Sequence, residues 1–452
     1  MKAREFADSV CKRLRDAGYQ AYLVGGCVRD ILLGREPADY DVATDATPEQ
    51  VGALFDDTLE VGAKFGVMIV LENRREAESA QVEVATFRSD NAYTDGRHPD
   101  GVTYSKTPQE DVARRDFTIN ALLLDPATNR ILDFVGGRAD LEAGVIRAIG
   151  EPGRRFSEDK LRMLRAVRFA ARFGYRIEPA TFAAIQKLAP QIHQVSAERI
   201  REELTKILTE GAARRGFELL DETGLLAQVL PEVAKLKGVE QPPQYHPEGD
   251  VWIHTRMMLE KLAAGAPATL AWGVLLHDIG KPTTFEPPSG PNGRIRFDGH
   301  AEIGTRMAEE IAERLRFSNE DTDQIAALVA NHMRFKDVQA MKPATMKRFA
   351  RLERFDEHLE LHKYDCLSSH RNLDNYELMR KFLAETPPEE VAPPRLLTGG
   401  DLLGMGFPPG PRFKEILNAV EDAQLNGALT DKEAAKAFVV EHYGLPGGPA
   451  TQ

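Results

Sequence analysis

Residues Leu23–Pro48 read LVGGCVRDILLGREPADYDVATDATP, and the interpretation of the whole chain turns on this stretch. The apolar run AYLVGG ends in Gly25 and Gly26, and a segment with helical spacing follows. A strand that breaks at paired glycines and enters a helix leaves bare backbone N–H groups at the positive helix end, where a phosphate can approach. Arg29 stands one turn further on. Asp39 and Asp41 are separated by one residue, so on a strand their carboxylates share a face. Such a pair can hold two hard cations, one beside an attacking oxygen and one on a triphosphate. Each feature also has a plainer reading, since paired glycines make ordinary turns and Asp-x-Asp pairs are commonly solvated loops. Gly25 to Asp41 spans only 17 residues, however. The order of cradle, cation and metal pair is the one nucleotidyl transfer requires.

Working outward, helical spacing over Glu5–Ala17 and β-type runs at Gly66–Leu71 and Gln81–Phe87 give residues 1–150 an α+β character. From Ser157 to Ala234 the period becomes helical, with Leu161, Leu164, Val167 and Ala171 three or four apart. A Pro/Gly-rich joint, GVEQPPQYHPEGD (Gly238–Asp250), precedes a second helical block over Val251–Leu383. That block is interrupted at Glu286–Arg294 and closed by Thr386–Pro394, and a helical tail follows. The expected domains are therefore 1–150, 151–237, 245–383 and 395–452, somewhat more than the three that roughly 150 residues per domain predicts for 452 residues. The tail reads as packing.

With 42% hydrophobic and 28% charged residues the chain is neither disordered nor fibrous. It has no run approaching the roughly 20 apolar residues of a membrane span, and the N-terminus is charged and amphipathic. A cytoplasmic protein with no membrane partner is expected. Cys11, Cys27 and Cys366 are too scattered for a disulfide framework or a CxxC zinc site. The net charge of −12 argues by itself against nucleic acid. Yet Arg147–Gly216 carries 15 Lys+Arg against 8 Asp+Glu, a local +7 that suits a polyanion track or merely a soluble helical face.

GGxVRDxLLG, the DxD pair, RRDFTINAL (Arg114–Leu122) and EDKLRMLRAVRFAARFG (Glu158–Gly174) together resemble the class II tRNA nucleotidyltransferase and bacterial poly(A) polymerase family over residues 20–235. The resemblance implies an α+β, polymerase-β-like nucleotidyltransferase head followed by an all-α neck and body. It also implies that Asp39 and Asp41 ligate Mg2+, that Gly26 and Arg29 contact the incoming triphosphate, and that Arg115 and Asp116 hold ribose and phosphates. Glu83, in QVEVATF, reads equally as a third acid facing the metals or as an outward strand glutamate.

Asp159 and Arg162 are three apart and, on one helix, neighbours. Together they offer an acceptor beside a donor, which matches the pairing edges of cytosine and adenine and mismatches guanine and uracil. This agrees with the family's use of side chains as a template. Arg165 and Arg168 continue the stripe and are expected to orient the base contact or the RNA end, with Arg172 neutral. SAERIREEL (Ser196–Leu204) is expected to brace the neck.

In the second helical block, LLHDIGKP (Leu275–Pro282) resembles the HD phosphohydrolase motif, so an all-α HD domain is expected. His254, His277, Asp278, His300, His332 and Asp365 form its expected ligand set, suited to Mn, Ni, Co, Fe or Mg in one or two ions that activate water against a phosphoester. The plainer reading is a degenerate domain that keeps the packing alone. Lys281 reads as a phosphate contact or a helix cap.

The leading functional expectation is addition or repair of the CCA end of tRNA from CTP and ATP, by a monomer or homodimer. Poly(A) polymerases of this family usually carry a basic segment after the DxD region, whereas EVGAKFGVMIV (Glu60–Val70) has only Lys64. Enzymes adding only CC or only A remain alternatives, and Ala85–Val102 resembles the loop that switches full CCA enzymes from C to A. From other classes come an HD phosphohydrolase with an inactive head and a non-catalytic RNA chaperone.

Overall fold

The computed structural model describes residues 2–62, 66–73, 75, 79–90, 102–289 and 293–445. Lys64 and most of the Ala85–Val102 segment, on which the distinctions from poly(A) and partial enzymes rested, lie outside the described residues. The chain divides into two units. The first runs to Lys235 and takes in Leu262–Ala268 and Ile311–Phe317; the second comprises Leu236–Lys261, Thr269–Glu310 and the chain from Ser318.

In the first unit, α1 (Ala3–Asp16) buries Phe6, Ala7, Val10, Cys11 and Leu14, the apolar stripe of an amphipathic helix. It packs on β1 (Ala21–Val24), from which α2 (Gly26–Leu32) leads to β2 (Asp41–Thr44). Next come α3 (Pro48–Leu54), β3 (Thr58–Gly62), β4 (Val67–Leu71) and β5 (Gln81–Thr86). The head is completed by β6 (Arg88–Asp90), β7 (Val102–Tyr104), α4 (Pro108–Ala113), β8 (Leu123–Asp125), β9 (Arg130–Leu132) and α5 (Gly137–Ala143). Seven strands make one sheet in the order β3-β4-β5-β2-β1-β8-β9. Among the described residues its one parallel pair, β2 with β5, lies mid-sheet; β6 and β7 form a separate antiparallel ribbon. Val24, Ala43 and Leu123 pack with Phe87, Val112, Ala121 and Ile149 as the core behind this centre. The α+β head is as expected.

The neck contains α6 (Pro152–Glu158), α7 (Leu161–Phe173), α8 (Pro179–Leu188), α9 (Ala197–Thr209) and α10 (Ala213–Glu222). Leu161, Leu164, Val167 and Ala171 form the buried face of α7, against α9 and α10. Gly216 permits the α9–α10 approach, because a Cβ there would fall 2.3 Å from Ile207 Cγ2. Within this helical run, Arg176–Ile177 forms a two-residue strand parallel to Val145–Ile146. Glu158–Gly174 is not one helix. The backbone is extended at Asp159 (φ −145°, ψ 108°), whose carboxylate accepts from the N–H of Leu161 and so caps the second segment.

The second unit is helical, as expected. ATLAWGVLL is buried from Thr269 to Leu276, the behaviour of a helix that is apolar on all sides. The tail helices Gly399–Gly404, Pro411–Leu425 and Lys432–Tyr443 close over their own core of Leu402, Phe407, Ile416, Val420 and Val439.

Candidate active and metal sites

Strand register builds the acidic centre. Asp41 opens β2 and pairs with Glu83 of the parallel β5, so the two carboxylates project from one face while Val42 and Val84 fill the core on the other. Glu83 therefore stands beside Asp41 while remaining exposed to solvent, which suits either reading of it. Burial pushes the Asp41 carboxyl up to about 7, and the charges of Glu83 and Asp39 add to it. Glu83 is raised in the same way, by burial and then by Asp39. Crowded carboxylates of this kind fit a divalent cation, which supplies the charge they lack through the oxygen donors Mg2+ prefers.

Gly25 keeps this centre open. Its φ of +79° is strained for any side chain, and a Cβ would lie 3.4 Å from Arg115 Nη1 and 3.7 Å from Asp41 Oδ2. Arg115 is aimed here by the fully buried Asp111, which accepts from its Nε and Nη2 at 3.2 and 3.0 Å and holds Arg114 with its other oxygen. Gly26 is the first residue of α2. Arg29, expected to contact the triphosphate, has protein partners. It is buried, donates to Asn120 Oδ1 (2.6 Å) and Asp30 (2.9 Å), and lies over the Phe173 ring, because α2 packs it inward. Asp116 is likewise occupied: it accepts from the Phe117 N–H, Asn120 and, at 2.9 and 2.8 Å, from Arg165. Burial opposes its charge, but Arg165 outweighs that and holds the carboxyl down at about 2. Asp116 therefore ties the RRD segment to α7.

The break at Asp159 takes it out of the helix that carries Arg162, with which it was expected to share a face, although the Arg162 N–H still donates to the Asp159 carbonyl at 3.1 Å. Asp159 is held by Arg199 of α9 at 2.8 Å, and Arg162 donates to Glu158 (3.0 Å) and to the carbonyls of Arg155 and Arg114. Every arginine of α7 has an acidic partner: Glu158 for Arg162, Asp116 for Arg165, Glu203 and Glu210 for Arg168, and Glu210 for Arg172. Of these partners only Asp116 lies outside Arg147–Gly216, and the three glutamates are already counted in its +7, so the local positive excess largely remains. Arg168 and Glu203 are buried, with side chains 8% and 4% exposed, so SAERIREEL does brace the neck. Arg168→Ala strands the Glu203 charge with weaker partners at 3.8 and 3.9 Å. Urea denaturation should register a loss of about 3 kcal/mol; a loss below about 1 kcal/mol would contradict a structural ion pair.

The second site gathers the expected ligands. His254 lies on the helix Val251–Leu259, His277 and Asp278 just beyond Ala268–Leu276, His300 and His332 at helix starts, and Asp365 on Phe355–Ser368. Nδ1 of His277, His300 and His332 faces the carbonyls of Val274, Phe297 and Val329 at 3.0, 2.8 and 2.6 Å. A carbonyl only accepts, so each Nδ1 carries the proton and each Nε2 presents a lone pair. The Nε2 atoms of His300 and His332 are 3.2 Å apart, and that of His277 is 3.1 Å from Asp278. Burial above all pushes His332 down to about 3, and burial lowers His300 too. Converging lone pairs beside a carboxylate, with no proton between them, suit a transition-metal ion.

Two groups, His254/His277/Asp278 and Asp278/His300/His332, are each compact enough to hold an ion, and they share Asp278. Asp365 joins through His254 Nε2, 3.2 Å away. Lys281 donates to Asp278 and to Gln241, each at 2.7 Å, rather than capping a helix. A cavity of about 910 Å³ opens onto Asp278, His300, His332 and Asp365. Sequence reasoning missed Asp111, Asn120, Arg199, Gln241 and Glu248. Asn120 lies in RRDFTINAL, Arg199 in SAERIREEL, and Gln241 and Glu248 in the Gly238–Asp250 joint, stretches singled out for other reasons, whereas Asp111 lies in none of them.

Comparison with known proteins agrees with this division. Family models described as "Poly A polymerase head domain", "Probable RNA and SrmB- binding site of polymerase A" and "HD domain" match residues 21–147, 174–237 and 249–364. The chain is 31% identical to the CCA-adding enzyme of Levilactobacillus brevis over 443 residues, 96% of this chain and 97% of that one. It is 43% identical to that of Leuconostoc mesenteroides over 218 residues, which span 48% of this chain and 53% of the relative, about half its length. The crystal structure of Bacillus stearothermophilus CCA-adding enzyme in complex with CTP is similar at a TM-score of 0.75 and 29% identity, covering 98% of each chain.

Proposed function

Since this chain belongs to the CCA-adding enzyme family, we propose that it completes or repairs the 3′-terminal CCA of tRNA from CTP and ATP without a nucleic-acid template. The observation that carries this reading is the acidic centre: Asp41 in register with Glu83, Asp39 beside them, and Arg115 held against Gly25. Asp39 and Asp41 would hold Mg2+, which supplies charge neutralisation on the triphosphate and the attacking oxygen. Gly25 and Gly26 leave room for the phosphates, and Arg115, braced by Asp111, adds a fixed cation. Asp116 and Arg165 hold that segment against α7. Asp159 and Arg162 read the base as acceptor and donor, with Arg199 fixing the first of them.

Incubating tRNA that lacks CCA with CTP, ATP or both, then sequencing the ends, tests the reading. CTP alone should give CC and the pair CCA. Long A runs, addition of CC or A alone, or no addition would overturn it in favour of a poly(A) enzyme, a partial enzyme, or a protein without transferase activity.

The convergent Nε2 lone pairs support a second activity, metal-dependent phosphoester hydrolysis, with His254, His277, Asp278, His300, His332 and Asp365 holding Mn, Ni, Co, Fe or Mg. Damaged RNA ends, including 2′,3′-cyclic phosphates, are the substrates we assign to it. Among the described residues no helix is long and apolar enough to cross a membrane. The proposed tRNA substrate places the activity in the cytoplasm.

A further inference from the structure

The loop Gly238–Asp250 reads as a joint, yet two of its polar side chains are buried behind the metal ligands. Glu248, whose side chain is 5% exposed, accepts through Oε1 from Nδ1 of His254 at 2.8 Å and of His246 at 2.9 Å. Its Oε2 is buried without a hydrogen-bond partner. Gln241, also buried, accepts from Lys281, which donates onward to Asp278. One side chain of the loop thus stands directly behind His254 and another, through a lysine, behind Asp278.

A carboxylate on Nδ1 keeps the proton there, fixes the ring's rotation and makes Nε2 more basic. His277, His300 and His332 have neutral carbonyls at Nδ1, and His254 alone has a carboxylate. Its Nε2, buried without a hydrogen bond of good geometry, points towards Asp365 and belongs to the group shared with His277 and Asp278. We propose that this loop is a working part of the metal centre, with Glu248 the positioning residue that orients His254 for its ion and Gln241 a support for Asp278 through Lys281. This rests on reading the second unit as a metal centre. His246, Glu248 and His254 are also close enough to hold an ion among themselves, which would use His254 through Nδ1.

The test uses the full chain, stripped with EDTA, supplied with excess Mg2+ to fill the carboxylate site, and titrated with Co2+. Visible absorption reports the ligand field, and elemental analysis after dialysis reports the number of ions bound. Glu248→Ala should weaken Co2+ binding by about 10- to 100-fold and alter the absorption bands, with the melting temperature of the metal-free protein unchanged. Glu248→Gln, isosteric and uncharged, should fall between wild type and Glu248→Ala, and it decides the matter if Glu248→Ala does not fold. His246→Ala should retain the wild-type number of ions. Wild-type affinity and spectrum in the Glu248 variants overturn the positioning role, and loss of an ion in His246→Ala overturns it in favour of a site in the loop. A wild-type protein that binds no Co2+ overturns instead the reading of the second unit on which the proposal rests.

Discussion

Asp41→Ala is expected to lower nucleotide addition to tRNA ends by about three orders of magnitude, because several kcal/mol of transition-state charge stabilisation depend on the cation it holds. Register explains why no neighbour compensates: Asp41 pairs with Glu83 at the centre of the sheet, and Asp39 lies before the strand begins. The fold should survive. Asp41 is raised by burial and by like charges, so removing its carboxylate relieves repulsion in the metal-free protein. Single-turnover addition to tRNA lacking CCA, with circular dichroism as the control, measures the effect. Addition within about tenfold of wild type would place the metals elsewhere.

Asp278→Asn should have the largest effect at the second centre, because Asp278 is the one ligand common to both metal-capable groups. It also anchors Lys281 at 2.7 Å. Removing its charge should release both ions and reduce hydrolysis of bis(p-nitrophenyl) phosphate, with Mn2+ or Ni2+ supplied, by about three orders of magnitude. Addition of CCA by the same variant should remain. If hydrolysis persisted while the ions were lost, metal-dependent chemistry at this site would be refuted. If addition disappeared with it, the two activities would not be separable by site.

Much of this was legible along the chain. The DxD pair was expected on one strand, but β2 carries only Asp41, and Asp39 stands in the bend before it. The six residues expected at the HD site were named from their order, and the structure brings them together, with Asp278, His300, His332 and Asp365 round one cavity and His254 and His277 beside them. The alternating and helical periods likewise matched the head and neck, since backbone hydrogen bonding and burial impose those periods directly on the residues.

The arginines were less legible. The resemblance implies that Arg29 contacts the triphosphate, and Arg162, Arg165 and Arg168 are expected at the base or the RNA end; each also has protein partners, drawn from positions between 1 and 91 residues away. A guanidinium is long, with five donors, and it settles on whichever carboxylate or amide the packed helices bring within reach. The break at Asp159 has the same origin, because its carboxylate serves the N–H of Leu161 and the distant Arg199 together. Glu248 shows the converse case, a loop residue whose role exists only once His254 lies beside it. Local pattern alone determined the helical periods and the strands that carry Asp41 and Glu83, and with the resemblance to the HD motif it named the residues expected at the second site, for these depend on strand and helix geometry and on donor type. Tertiary packing decided which charged groups meet one another and which still face the sites, because that depends on distances between elements no local period encodes.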